Sequence, residues 1–368
     1  MYDRSFRIRR FEMSDVSGVI KLLELVFQRP FSTEWWNWKY RSNPAGFLGD
    51  KGDIWVAESA NGAVIGHWAV IPEKIKLGSK TIIVAQGVDA ATHPDYRRLG
   101  INKTLAVRVL LDVRSRYRFI FGFPREVLYK YRSKHGWKCL SLSEYLSFLN
   151  YDNTLRSFFD NDFLVWFGKS MLKTCQSVRT FFSNSFVKSN KVNDIEIQKI
   201  DKFPDEMDNF WKSVRQRYEM CIERTASFLN WRFSRHLGDY RLFLARSINY
   251  KHIIGYLALK ETTILNIPKV LDIVDLQTSP GENNCALNLI DFAKTFARNE
   301  RFNLVHCRIP AWHNYAKLLS RRRFISIDHL LGLMRLPHPH ATFYFFEDQK
   351  VTPNFKKWFY MLGDTDYA

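Results

Sequence analysis

The stretch Gly87–Leu110, GVDAATHPDYRRLGINKTLAVRVL, decides how this chain is read. It begins with small and β-branched residues, turns at His93-Pro94, passes Arg97, Arg98 and a single glycine at 100, and continues as an amphipathic helical pattern. The first turn of a helix has free backbone N–H groups and the positive end of the helix dipole. A glycine at the join lets an anion come close to the main chain, and two arginines add forked donors. The join is therefore either a plain turn with solvated arginines or a cradle for a pyrophosphate.

Working outward, a second strand-like run, RFIFGFP, ends at Pro124 and leads to a short helical segment, YKYRSKHGW, that ends at Trp137. Upstream stand NWKYRSNP from Asn37, the run IWVAES from Ile54, and VIGHWAV around Gly66. The whole order recurs in the second half. NWRFSRHL starts at Asn230, LFLARS at Leu242, and IIGYLAL surrounds Gly255. VLDIVDLQTSP carries Asp275 where VAQGVDAATHP carries Asp89, and NCALNLIDFAKTFARN answers INKTLAVRVLLDVRSR. NLVHCRIP ends at Pro310 as RFIFGFP ends at Pro124, and NYAKLLSRRRF leads to Phe324 as the earlier segment leads to Trp137. Six elements in one order predict two similar α/β domains, each with a β-hairpin near its start. We read them as residues 1–150 and 195–368. Residues 151–194, basic and aromatic and outside the repeat, read as a linker region, helical in part. LPHPHATFYFFEDQK, after the second copy, reads as a strand extension.

Composition sets the outer limits. The chain has 368 residues, 46% hydrophobic and 25% charged, which is globular and comfortable for two cores. No apolar run approaches the roughly 18–20 residues that span a bilayer, and the N-terminus lacks the apolar segment of a secretory signal. Five scattered cysteines form no C-x-x-C pair, so neither a disulfide framework nor a zinc site is indicated, and a reducing, cytoplasmic setting is expected. The net charge of +18 is spread over both halves and attracts polyanions in general.

Thr92-His93-Pro94-Asp95-Tyr96-Arg97-Arg98-Leu99-Gly100-Ile101-Asn102 resembles motif A of the GNAT acetyltransferase superfamily, which runs roughly V-H-P-x-[YF]-[QR]-x-x-G-x-[GA]. Asn102 departs from it. YKYRSKHGW resembles the same family's motif B. The likeness covers about residues 5–145 well and the second copy in outline. It implies an α/β (α+β) chain of two tandem GNAT-like domains, each a mixed, mostly antiparallel central sheet flanked by helices. It implies acyl transfer from acyl-CoA, acetyl or 3-hydroxybutyryl, to an amine, with no metal. The pyrophosphate would lie on the amides of Arg98, Leu99, Gly100, Ile101, Asn102 and Lys103, helped by Arg97. The pantetheine arm would run beside Asp89, Ala90, Ala91 and Thr92. The second copy has SPGENNCALN at the corresponding join, without arginines and with Glu282 after Gly281. An acid there repels pyrophosphate, so one working site and one degenerate domain are expected.

Proton transfer needs an acid and a base near the thioester. Asp89 is the candidate base, and its counterpart Asp275 argues for a structural aspartate instead. Glu58 is a weaker candidate, and His93 fits a packing role in its His-Pro turn. The family's acidic tyrosine falls at Arg132 here; Tyr131 and Tyr129 are its nearest neighbours in sequence, and either can equally be a core aromatic. The cluster EWWNWKY reads as core because NWRF repeats its pattern, and HPH at 338–340 lacks the partners of a metal site.

For the acceptor, the length, tandem plan and the FGFP and GDTD segments resemble acyltransferases of bacterial surface-polysaccharide (O-antigen, lipopolysaccharide) synthesis. These act on a dTDP-linked amino sugar, here expected between the domains, with no nucleic acid involved. Two other readings stay open: an aminoglycoside or lysine acetyltransferase, and a basic membrane- or nucleic-acid-binding protein on a silent scaffold. Residues 155–188 mix basic and aromatic side chains as a peripheral membrane contact would.

Overall fold

The structure is a computed structural model that describes residues 5–46, 52–156, 170, 194–234, 238–264, 266–329, 339–346 and 354–365. In chain order its strands are β1 (Phe6–Arg10), β2 (Asp53–Ser59), β3 (Val64–Leu77), β4 (Lys80–Thr92), β5 (Phe119–Gly122), β6 (Lys138–Ser141), β7 (Glu144–Phe148), β8 (Ile195–Ile200), β9 (Met220–Ile222), β10 (Arg241–Ser247), β11 (Ile253–Ile264), β12 (Ile267–Thr278), β13 (Leu304–Arg308), β14 (Ile325–Ser326), β15 (His340–Phe345) and β16 (Trp358–Phe359). The helices are α1 (Val16–Phe27), α2 (Thr33–Trp36), α3 (Ile101–Val113), α4 (Glu126–Arg132), α5 (Tyr151–Arg156), α6 (Met207–Val214), α7 (Ala226–Leu229), α8 (Asn283–Asn299) and α9 (Asn314–Arg321). The expected linker, 151–194, lies mostly outside the described residues; its start is α5.

The chain divides into two compact units. The first combines Met1–Leu140 with His340–Lys356, and the second combines Ser141–Pro339 with Lys357–Ala368. In the first, the strand order is β1-β2-β3-β4-β5-β15-β6. In the second it is β14-β7-β13-β12-β11-β10-β8. Within these two orders the sheets are mostly antiparallel, with parallel neighbours at β4–β5 and at β12–β13, and β9 and β16 form a further parallel pair. The repeated elements of the sequence are the same elements here, hairpins included. The units are not the continuous ranges 1–150 and 195–368. Strand β15 pairs antiparallel with β5 in the first unit, and β7 pairs antiparallel with β13 in the second. Each sheet thus takes a strand from the other half of the sequence.

Residue spacing explains how each unit closes. Ile101, Leu105, Val109 and Val113 recur every four residues, so one stripe of α3 is buried on Trp55, Trp68 and Ile120. The repeated central glycine is a packing requirement. A Cβ on Gly66 would come within 2.6 Å of Ile101 Cγ2, and one on Gly255 within 2.9 Å of the Gln277 carbonyl oxygen. In the second unit, Glu144 accepts from Arg308 and lies 3.4 Å from His306, whose other ring nitrogen meets Asp272 at 2.7 Å. Burial pushes Glu144 up, but His306 and Arg308 outweigh it and hold it at about 2. That cluster ties β7 to β13.

Candidate active site

Strand β4 is paired to β5 at Ala85–Ile120 and Gln86–Phe121, after which the pairing stops. Gly122 allows the strands to come together just at that point, since a Cβ there would lie 2.9 Å from the Gly87 carbonyl oxygen. Beyond it, β4 stays bonded to β3 only. His93 N–H donates to the Ile65 carbonyl, and His67 faces Ala91 in the same register. Successive residues of a strand turn their main-chain groups to opposite edges. Residues 91 and 93 therefore face β3, and Ala90 and Thr92 present N–H and C=O to the edge that β5 has left. No hydrogen bond from the described residues meets them there. The Thr92 hydroxyl is also buried without a partner among the described residues.

The second unit carries the same edge with its groups taken. Ser279 stands where His93 stands, and its N–H donates to the Ile254 carbonyl, which fixes the same phase. Thr278 stands where Thr92 stands. Its N–H donates to the Tyr315 hydroxyl at 2.9 Å, its hydroxyl meets the same oxygen at 2.9 Å, and its carbonyl accepts from Arg217 at 2.6 Å. Leu276 stands where Ala90 stands, and its N–H donates to the Asp275 carboxylate at 3.0 Å. Tyr315 is the second residue of α9, and the second residue of α4 is Val127. Val127 has no hydroxyl and is 84% exposed. One edge is consumed by its own unit, and the other meets no hydrogen bond from the described residues.

The turn after β4 follows the sequence reading. His93 caps the 3-10 turn Pro94–Tyr96, its Nδ1 accepting from the Asp95 N–H at 3.3 Å, so its role is local. Arg98 has φ 68° and Gly100 φ 81°, left-handed values that hand the chain into α3. No side chain of the described residues caps the first turn of α3, and a Cβ on Gly100 would meet no protein atom. Arg97, Arg98, Gly100 and Lys103 are exposed or nearly so, Leu99 and Asn102 half-buried, and Ile101 buried in the core. Uncapped amides, nearby cations and a left-handed glycine fit a diphosphate.

The candidate proton-transfer residues are not bonded to one another. Asp89 is 7% exposed and has φ 52° within a bulge of β4. Lys39 Nζ donates to its carboxylate at 2.8 Å, and the Tyr40 hydroxyl donates to the other oxygen. Burial pushes Asp89 up, but the Lys39 charge and these hydrogen bonds prevail and hold it below the usual carboxylate range. His67, fully buried, meets the Asp89 carbonyl oxygen through Nδ1 at 2.8 Å. Tyr129 stacks on His340 at 3.6 Å between ring centroids, and burial raises its hydroxyl above its ordinary value. Tyr131 stacks on His135. Arg132, at the family's tyrosine position, is buried, lies 4.2 Å over the Trp137 ring and donates to Thr342. Glu58 is held by Arg7 and Arg9.

Lys39, Tyr40 and His67 are not singled out by the sequence reading. The available signal is the repeat, since Lys39 answers Arg232 and His67 answers Tyr256. Asp275 is likewise buried and paired, with Arg224 and with the Tyr256 hydroxyl at 3.0 Å. Arg224 also binds Asp364, so the GDTD segment is tied into the second unit. The tryptophan cluster is core, with Trp36 stacked on Phe11 at 5.4 Å. Residues 155–188 and His338 fall almost wholly outside the described residues, and among those described no helix is long and apolar enough to cross a membrane.

Comparison with known proteins agrees with this geometry. Residues 7–140 match the family model described as acetyltransferase (GNAT) domain. No curated protein matches the sequence significantly. Among solved structures, a probable N-acyltransferase from Enterococcus faecalis is similar with a TM-score of 0.62 at 11% identity, covering 93% of this chain and 73% of that one. N-myristoyltransferase of Saccharomyces cerevisiae with bound myristoyl-CoA has a TM-score of 0.59 at 14% identity, covering 95% and 84%. A GCN5-related N-acetyltransferase from Anabaena variabilis has a TM-score of 0.56 at 14% identity, covering 92% and 72%. At these identities the likeness to each structure is one of fold. Residues 7–140 thus match the acetyltransferase (GNAT) domain model, and the chain shares its fold with these acyltransferase structures.

Proposed function

We propose that the chain holds one acyl-CoA, in its first unit, and acylates the amino group of a nucleotide-linked amino sugar such as a dTDP-linked amino hexose. The observation that carries the single site is the contrast between the two β-edges: Ala90 and Thr92 are open, and Leu276 and Thr278 are occupied. In this reading the diphosphate lies on the amides from Arg98 to Lys103, with Arg97 and Arg98 as counter-charges, and the pantetheine arm adds as a strand along Asp89–Thr92.

Acyl-CoA supplies an activated thioester carbon. The free amine of the acceptor attacks it, the new N–C bond forms, the C–S bond breaks, and the nitrogen gives up a proton as the thiolate takes one. Tyr129, stacked on His340, and Tyr131, stacked on His135, are the candidates for the acid. Asp89 is a poor base while Lys39 and Tyr40 hold its carboxylate. The nucleotide part of the acceptor is supported by the net charge of +18 and by the 15% aromatic content, which suit a diphosphate and a base. The acyl group, acetyl or 3-hydroxybutyryl, belongs to the same reading.

The test is thiol release from acetyl-CoA and from 3-hydroxybutyryl-CoA in the presence of dTDP-linked 3- or 4-amino-6-deoxyhexoses. Release with these sugars, and none with lysine peptides or aminoglycosides, is the expected result. Release with a peptide or an aminoglycoside alone overturns the acceptor reading.

A further inference from the structure

We propose that His67 is a positioning residue: its ring locks the Asp89–Ala90 peptide so that the Ala90 N–H faces the open edge of β4. This rests on the acyl-CoA reading of the first unit. The carbonyl oxygen of Asp89 can only accept, so at 2.8 Å the His67 Nδ1 must carry the hydrogen. Nε2 then bears a lone pair, and it is buried without a partner among the described residues. Burial disfavours the imidazolium, so the ring is neutral, and it holds one tautomer.

In a trans peptide, carbonyl and N–H point in opposite directions. With the Asp89 carbonyl drawn to a ring that belongs to β3, the Ala90 N–H points away from β3. The ladder alternation from His93 and Ala91 gives the same direction independently. The peptide sits in a bulge whose aspartate has a left-handed φ of 52°, a conformation that a side-chain anchor must maintain.

The second unit is the internal control. Tyr256 replaces His67, and its hydroxyl reaches the Asp275 carboxylate, not the main chain. Asp275 has no left-handed φ, and the N–H after it is turned onto its own carboxylate. Where the histidine is missing, the amide is silenced. Packing alone does not explain His67 either, since a phenylalanine would fill the same space without burying a bare acceptor.

The experiment uses acetyl-CoA with a ¹³C-labelled thioester carbonyl, the full-length chain, and isotope-edited infrared spectroscopy. In the wild type the bound carbonyl stretch should fall below its value in water. His67→Asn keeps a donor at the Nδ1 position and should keep that shift. His67→Phe keeps the ring and removes the donor, and should lose the shift while binding CoA within about threefold of wild type. His67→Tyr, the residue of the second unit, gives the same reading if the phenylalanine variant does not fold. A full shift in the Phe or Tyr variant, equal loss in the Asn variant, or no shift in a wild type that binds acetyl-CoA overturns the role of His67. Failure of the wild type to bind acetyl-CoA overturns the acyl-CoA reading instead.

Discussion

Asp89 gathers three neighbours, and each makes a different kind of contact. Lys39 neutralises it, Tyr40 donates to it, and His67 takes its carbonyl. Lys39 and Asp89 are 4% and 7% exposed, so removing one charge strands the other in a poor solvent. Asp89→Asn should lower stability by about 3 kcal/mol, measured by denaturant unfolding at neutral pH. The pH dependence has a definite sign. A carboxylate held below its ordinary 3.8 stabilises the fold above that value, and the contribution fades as pH falls further. The stability gap between wild type and Asp89→Asn should therefore be full at neutral pH and close below about pH 4. An unchanged unfolding midpoint at pH 7 would contradict the buried pair. Asp89 itself was legible in the sequence. Its partners were not, because Lys39 lies 50 residues away and only the fold brings them together.

At the scale of elements, the decisive comparison is α4 with α9. Each helix follows a proline just past the end of its strand, α4 starting at Glu126 after Pro124 and α9 at Asn314 after Pro310. Tyr315 on α9 reaches across to Thr278, whereas no described side chain of α4 bonds the Thr92 hydroxyl. Val127→Tyr tests whether α4 borders the open edge as α9 borders its own: a ring placed there should weaken acetyl-CoA binding at least tenfold. Because Val127 is exposed, the melting temperature should stay within about 2 °C, since surface substitutions seldom exceed about 0.5 kcal/mol. Undiminished affinity would show that α4 does not border the acyl-CoA groove. The hairpins, α3 and the turn at Gly100 were readable from local periodicity and from the glycine. The exchanged strands β7 and β15 were not, because a strand's pattern reports its burial and not its partner. LPHPHATFYFFEDQK reads as a strand in sequence, and its place beside β5 is set by a pairing of residues more than 200 apart.

On the scale of the whole molecule, the duplication explains why one chain carries two similar sheets and two different fates. The first unit keeps a left-handed glycine, exposed cations beside it and an open strand edge. The second keeps the fold and turns its edge groups inward on Tyr315, Arg217 and Asp275. The sequence already hinted at this through SPGENNCALN, where Glu282 replaces the cations. It could not display the closed edge, which depends on hydrogen bonds between distant residues. The strong positive charge, spread over both halves, attracts diphosphates.

The most direct measurement is calorimetric titration of the full chain with CoA at near-physiological salt, for wild type and Gly100→Val. One CoA should bind per chain. The variant should lose at least tenfold in affinity, because a β-branched residue resists φ 81° and its side chain enters the anion's space. Two CoA per chain, or equal affinity in the variant, would contradict a single site built on the turn at Gly100.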